Sequence, residues 1–183
     1  MRLHEHSDFA AFLTATAAET DLTEQFVEKD YWITEILRVT ATTIPERAVF
    51  KGGTSLSKGW GLIDRFSEDV DLFVNRDVEP RLSNAGVSDA LRDLRDAVGA
   101  VPGLDLVPGE SRANKGRDRH DTFRYVSLYA AVPGIPTTVR LEPGIQSGDQ
   151  PRPNVTSARS SGPCSASGAS PATSASKAST PSR

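Results

Sequence analysis

Apolar residues recur at helical spacing in three parts of the chain. The pattern predicts N-terminal helices over about residues 7–43, divided near Asp21, and a third helix over residues 88–98. The apolar sides of these helices are formed by Phe9, Phe12, Leu13 and Ala17, by Phe26, Ile33, Ile36 and Leu37, and by Ala90, Leu91, Leu94 and Val98. Each helix thus has one apolar side, as helices on a globular core do.

Strand patterns lie between and after these helices. A short apolar run over residues 48–50 ends at Gly52-Gly53, and residues 54–60 have room for a short helix. Residues 70–74 show the alternation of a half-buried strand. Two β-prone segments, 125–132 and 137–141, are joined by a short link and predict an antiparallel pair. The element order predicts the mixed α/β (α+β) class, with a short sheet flanked by helices.

Composition divides the 183 residues at about Gln150. Residues 151–183 contain 10 Ser, 6 Ala and 5 Pro and neither Asp nor Glu. This bias predicts a disordered C-terminal tail, either natural or out of frame or truncated, behind a core of residues 1–150. The core has 24 acids against 17 Lys and Arg. A net charge of −7 excludes nucleic-acid binding by bulk positive charge, although a local basic patch stays open.

Cysteine content and hydropathy limit the cellular setting. The one cysteine, Cys164, lies in the tail, so neither an intrachain disulfide nor a thiolate metal site is expected. No run approaches the roughly 18 apolar residues of a membrane span. We therefore expect a soluble protein of a reducing compartment, the cytoplasm, without a membrane partner.

The chemistry-bearing segment is FKGGTSL at residues 50–56, followed by RFSEDVDL at residues 65–72. Asp69 and Asp71 are two positions apart on a predicted strand, so their side chains share a face. Paired carboxylates suit a hard cation such as Mg²⁺, and a glycine turn before a helix suits a phosphate. Each half alone also fits a solvated strand or an ordinary turn. Together they predict phosphoryl or nucleotidyl transfer.

Residues 50–74, FKGGTSLSKGWGLIDRFSEDVDLFV, resemble the signature of the AbiEii/AbiGii toxin family of nucleotidyltransferases. This family, which includes the MenT toxins of mycobacteria, is a branch of the DNA polymerase β-like superfamily. The upstream segment EKDYWI, residues 28–33, is similar to a helical segment of these proteins. The resemblance covers roughly residues 20–145 and implies a polymerase-β-like core.

The resemblance also implies roles for individual residues. Asp69 and Asp71 match the metal-binding pair, and Glu142 on a later strand would be the third carboxylate and a base for the attacking hydroxyl. The residues that match the family's phosphate motif are Gly52, Gly53, Thr54 and Ser55, and Arg140 is implied as a phosphate or base contact. Apart from the resemblance, Lys51 and Lys58 are candidate contacts of a triphosphate as point charges, with ordinary surface lysines as the alternative. Ser67, two residues before Asp69, is a further candidate phosphate contact. For Glu142 and Arg140 the alternative is an ordinary surface pair, and for Ser67 a purely structural role.

The implied activity is that of a toxin from a toxin–antitoxin or abortive-infection system. With Mg²⁺, it would transfer a nucleoside monophosphate from an NTP to an RNA acceptor, by analogy the 3′ end of a tRNA, and an antitoxin protein would be its partner. The alternatives are a truncated, non-catalytic nucleotide-binding remnant of the family and a phosphotransferase acting on protein.

A basic stretch provides the one concentration of positive charge in the core. It comprises Arg112, Lys115, Arg117, Arg119, His120 and Arg124. Cationic side chains next to Tyr125 and Tyr129 suit an RNA backbone or a triphosphate. The alternative is a solvated loop before a strand.

Overall fold

Three α-helices and a six-stranded mixed sheet form residues 2–51, 69–130 and 132–146, the part of the chain that this computed structural model describes. The helices are α1 (Phe9–Thr20), α2 (Glu24–Thr43) and α3 (Asn84–Gly99). The strands are β1 (Ala48–Phe50), β2 (Asp69–Val74), β3 (Leu104–Leu106), β4 (Arg112–Asn114), β5 (Asp118–Tyr125) and β6 (Thr138–Gly144). The predicted mixed α/β class is confirmed.

The sheet has the strand order β1-β2-β6-β5-β3, and β4 also pairs with β5. Strands β2 and β6 are parallel, whereas the other pairings are antiparallel. Since β2 and β6 are far apart in sequence, the pairing brings residues 69–73 beside residues 140–144.

One face of this sheet packs against α2 and α3. From the helices, Trp32, Ile33, Ile36, Val87, Leu91 and Leu94 enter a single buried cluster. The strands contribute Val70, Leu72, Val74, Phe123, Val139 and Leu141. The intervening strand residues point to the opposite face, which we call the polar face because it carries Asp69, Asp71, Arg140, Glu142 and His120.

The start of one helix and the apolar side of another differ from the sequence prediction. Helix α3 begins at Asn84 rather than Ser88, because the Ser83 hydroxyl oxygen accepts a hydrogen bond from the Gly86 amide at 3.1 Å and caps the helix. Phe12 was predicted on the apolar side of α1, but it is 49% exposed, whereas Phe9, Leu13 and Ala17 are buried.

The predicted strand over residues 125–132 is wrong. Strand β5 is Asp118–Tyr125 and ends at the residue where the predicted strand began. The predicted antiparallel pair is confirmed, because β5 pairs with β6 in the antiparallel direction. Most of residues 126–136 form a connection in which Val126 is 79% exposed. Strands β3 and β4 were not predicted.

Helix α2 holds this connection through buried charged side chains. Glu28 accepts hydrogen bonds from the Leu128 amide at 2.9 Å and from the Ser127 hydroxyl. Lys29 donates its Nζ to the Pro136 carbonyl at 3.2 Å. Both side chains are almost fully buried. The segment of residues 28–33 therefore fixes the chain that leads into β6.

Two predictions fall on residues outside the described part: the short helix over 54–60 and the tail over 151–183. The division at Gln150 stays a prediction for the same reason. Among the described helices, none combines the length and apolar character needed to cross a bilayer.

Candidate active site

Strand β2 places the carboxylates of Asp69 and Asp71 on the polar face. Val70, Leu72 and Val74 alternate with them and are fully buried, because they pack into the core below the sheet. The apolar alternation thus fixes which way both acids point, since a strand has a period of two. The shared face expected from the sequence is observed.

Strand β6 brings two more charged residues to the same face. In the parallel register Asp69 pairs with Arg140 and Asp71 pairs with Glu142. Val139 and Leu141 on the same strand are buried in the core, which turns Arg140 and Glu142 the other way. We call Asp69, Asp71 and Glu142 the acid cluster.

Arg140 lies between two members of the acid cluster. Its Nη1 is 3.5 Å from Asp69 Oδ1 and 3.6 Å from Glu142 Oε1. The arginine side chain is 53% exposed, so each ion pair on its own contributes little to stability. The guanidinium nevertheless supplies positive charge between Asp69 and Glu142.

His120 contacts the cluster from the next strand. Its Nδ1 is 3.4 Å from Glu142 Oε1 and its Nε2 is 3.5 Å from Asp118 Oδ1. In the sequence, His120 stands out only as part of a basic stretch. The signal for this placement is the alternation of Asp118, His120 and Thr122 against the apolar Phe123 and Tyr125.

Repulsion within the cluster is visible at Asp71. Burial raises the pKa of the Asp71 carboxyl above its usual value, and the nearby Glu142 carboxylate raises it further, whereas the Lys51 ammonium lowers it. The Asp69 carboxylate also raises the pKa of Asp71. A carboxyl whose ionised form is disfavoured by neighbouring carboxylates gains from a bound cation, because an opposite charge favours the ionised form.

Lys51 lies beside Asp71 at the end of β1. Its amide donates a hydrogen bond to the Asp71 carbonyl at 2.9 Å, and its Nζ donates to the Gln146 carbonyl at 3.0 Å. The glycine motif begins at the next residue. The predicted phosphate contacts Gly52, Gly53, Thr54, Ser55, Lys58 and Ser67 lie outside the described residues.

The acid cluster has the donor atoms of a Mg²⁺ site, although not the spacing of one. As the side chains stand, no three acidic, His or Cys residues in ranges 2–51, 69–130 and 132–146 are grouped closely enough to hold a metal ion. The chemistry of the donors fits Mg²⁺, because all three are carboxylates and Mg²⁺ commonly uses one or two of these with phosphate oxygens. Joint binding by Asp69 and Glu142 requires Arg140 to move from between them.

The basic stretch does not form one patch. Arg119 is directed away from the polar face: its Nε lies 2.6 Å from Oδ2 of the buried Asp121. His120 contacts acids on the polar face, while Arg112 lies on the short edge strand β4. Strand alternation thus divides charges that are close in sequence between two sides of the sheet.

The comparison with protein families identifies the chain. Residues 36–162 match the family described as nucleotidyl transferase AbiEii toxin of type IV toxin–antitoxin systems. The match spans more than half of the chain, which therefore belongs to the AbiEii family. The resemblance of residues 50–74 to this family is confirmed.

Among solved structures, the chain is similar to the crystal structure of a protein from H. pylori assigned as a nucleotidyltransferase. The two are 22% identical with a TM-score of 0.44, over 72% of this chain and 49% of that protein. The chain thus spans about half the length of that protein. No curated protein matches it significantly.

Proposed function

We propose that the chain is a Mg²⁺-dependent nucleotidyltransferase that transfers a nucleoside monophosphate from an NTP to a hydroxyl of RNA. The observation that carries the proposal is the acid cluster: Asp69, Asp71 and Glu142 share one face on two adjacent strands in a chain of the AbiEii family. Burial, and after it the neighbouring Glu142 and Asp69 carboxylates, raise the pKa of Asp71, and this repulsion between carboxylates supports cation binding at this place.

In the proposed transfer, Glu142 acts as the base, and the acid cluster as a whole would hold the metal ion. An acceptor hydroxyl attacks the α-phosphorus, a new oxygen–phosphorus bond forms, and the bond to the β-phosphate breaks to release pyrophosphate. Glu142 takes the proton of the attacking hydroxyl. Bound Mg²⁺, held by Asp69 and Asp71 with Glu142, supplies neutralisation of the triphosphate charge.

Positive side chains bind the NTP in this proposal. Arg140 and Lys51 lie next to the acid cluster, and a guanidinium matches two phosphate oxygens at once. Gly52, Gly53, Thr54 and Ser55 are the proposed phosphate-binding residues, and Lys58 and Ser67 are proposed as further contacts of the NTP. For the four motif residues the support is their match to the family motif in sequence, and for Lys58 and Ser67 it is their charge or hydroxyl group and their position in the sequence.

The acceptor and the partner are proposed by analogy with the family. A type IV toxin that carries out nucleotidyl transfer acts on RNA in our proposal, with the 3′ end of tRNA as the acceptor, in the cytoplasm. A cognate antitoxin protein is the expected partner. The NTP supplies both the transferred group and the energy of the reaction.

The first prediction tests the acid cluster. The full chain is incubated with total tRNA, Mg²⁺ and each α-³²P-labelled NTP, and labelled RNA is measured on a denaturing gel. We expect Asp69→Asn and Asp71→Asn to lower the initial rate more than about 100-fold, since each removes a carboxylate charge that would hold the Mg²⁺ ion needed to neutralise the triphosphate. EDTA abolishes the labelling, and added Mg²⁺ restores it.

Asp105→Asn is the matched control, because Asp105 is an exposed aspartate on β3, away from the acid cluster. It retains the wild-type rate. Labelling by either site variant at the wild-type rate contradicts the proposal. Mg²⁺-dependent NTP binding without transfer by the wild type indicates a non-catalytic remnant. Transfer of label to protein from a γ-³²P-labelled NTP, with no label in RNA from an α-³²P-labelled NTP, indicates a phosphotransferase.

A further inference from the structure

A cleft of about 590 Å³ lies on the polar face, next to the acid cluster. Its lining comes from three adjacent strands: Arg112 and Asn114 from β4, His120 and Thr122 from β5, and Arg140 and Glu142 from β6. The volume is in the range of small-molecule sites, about 300–1,000 Å³. Since Glu142 belongs to both and Arg140, which lines the cleft, contacts Asp69 and Glu142, a ligand in the cleft reaches the acid cluster.

The charge of the lining argues against a polyphosphate as the occupant. Glu110, Asp118 and Glu142 contribute carboxylates, which oppose the two arginines of the cleft. A groove that holds a phosphate backbone is strongly positive, because it must neutralise several phosphates. This cleft, in contrast, is close to balanced in charge.

The same lining suits a sugar and a base. Hydroxyl groups of a ribose donate to carboxylates such as Asp118, and amide side chains such as Asn114 recognise the edges of bases. Asn114 Nδ2 donates to Asp118 Oδ1 at 2.7 Å, which leaves the carbonyl oxygen of the amide as an acceptor. A flat guanidinium such as that of Arg112 can also stack on a base.

We propose that this cleft binds a ribonucleoside, with its base toward Arg112 and Asn114 and its phosphate end toward Arg140 and the acid cluster. The inference rests on the proposed nucleotidyl transfer and adds the place where the nucleoside is recognised. Two sources share this chemistry: the donor NTP and the terminal nucleoside of the acceptor RNA.

The cleft is tested by binding rather than by turnover. Calorimetry with the full chain in Mg²⁺ uses three probes: α,β-methylene analogues of the four NTPs, tRNA, and inorganic tripolyphosphate. The variants are Arg112→Ala and Asn114→Ala. We expect them to weaken either the NTP analogues or tRNA by about tenfold, the effect of losing about 1.4 kcal/mol, and to leave tripolyphosphate binding unchanged.

Arg92→Ala is the matched control, since Arg92 is an exposed arginine on α3, paired with Asp89 at 2.9 Å. Weaker NTP-analogue binding assigns the cleft to the donor nucleoside, and weaker tRNA binding assigns it to the acceptor. Unchanged binding of both overturns the inference, and so does an equal loss for tripolyphosphate. If the wild type transfers no label but the variants weaken nucleoside binding, the proposed function fails and the cleft assignment stands.

Discussion

Arg140 occupies a position in which its charge has two opposite effects. Its guanidinium lies within 3.6 Å of carboxylates from both β2 and β6, where it partly neutralises the acid cluster and competes with a metal ion. The same group is suited to bind two oxygens of a phosphate. Removing the charge separates these effects, because metal binding and NTP binding then change in opposite directions.

The prediction for Arg140→Gln follows from this position. We expect the KM for the NTP to rise by about tenfold or more, as for the loss of a charge-assisted hydrogen bond of about 1.5–3 kcal/mol. The Mg²⁺ concentration at half-maximal rate falls, because a competing cation is gone. Steady-state rates at varied NTP and varied Mg²⁺ measure both.

Arg81→Gln serves as the control for this pair of measurements, since Arg81 is exposed and pairs with Asp77 outside the acid cluster. It leaves both constants at wild-type values. If Arg140→Gln changes neither constant, Arg140 is an ordinary surface residue and its role as a phosphate contact is wrong.

At the level of elements, local pattern predicted the strand that carries Asp69 and Asp71 because apolar residues alternate there. The same kind of pattern failed to locate β5, whose sequence is DRHDTFRY. Asp and Arg occupy four of its first seven positions, so the apolar alternation typical of a strand is missing. Asp121 is buried in this strand because Arg119 and the Ser111 hydroxyl, at 2.8 Å, satisfy its carboxylate. A three-dimensional arrangement of this kind leaves no periodic signal.

The candidate site also contains residues that the sequence predicted and a contact that it did not. Asp69, Asp71, Arg140 and Glu142 were predicted from motif and resemblance, whereas the contact of His120 with Glu142 was not. His120 reaches Glu142 only because β5 and β6 pair in an antiparallel register, which residue spacing does not specify. Strands β3 and β4 have three residues each, too few for a recognisable alternation.

Helix α2 positions the entry to β6 through Glu28, and this gives a prediction for a whole element. Glu28→Ala leaves the Leu128 amide and the Ser127 hydroxyl without their carboxylate acceptor. We expect a loss of about 1–3 kcal/mol in the free energy of unfolding, the cost of buried unsatisfied donors. Urea denaturation followed by circular dichroism measures it.

Two further variants serve as comparisons for the stability of Glu28→Ala. Glu28→Gln retains one carbonyl oxygen as an acceptor and should lose less stability than Glu28→Ala. Glu19→Ala removes an exposed glutamate from α1 and should leave the unfolding midpoint nearly unchanged. Equal midpoints for Glu28→Ala and Glu19→Ala would show that the connection of residues 126–136 does not depend on Glu28.

For the molecule as a whole, one face of the sheet contributes mainly to stability and the other carries the candidate site. Helices α2 and α3 bury one face, and the apolar residues of that face supply most of the hydrophobic stabilisation. The polar face carries the acid cluster and the cleft, whose ion pairs are partly exposed and contribute little to stability. Stability and activity should therefore respond to different substitutions.

Leu94→Ala tests this separation. Leu94 is fully buried in the core, so its truncation should lower the free energy of unfolding by about 2–5 kcal/mol. Leu106→Ala removes the same atoms from a residue that is 36% exposed on β3, and should cost less than about 1 kcal/mol. Below the unfolding transition, both variants should bind NTP analogues with wild-type affinity, because neither side chain lines the polar face near the acid cluster. A Leu94→Ala protein that is folded by circular dichroism but has lost nucleotide binding would show that core packing and site geometry are coupled through β2 and β6.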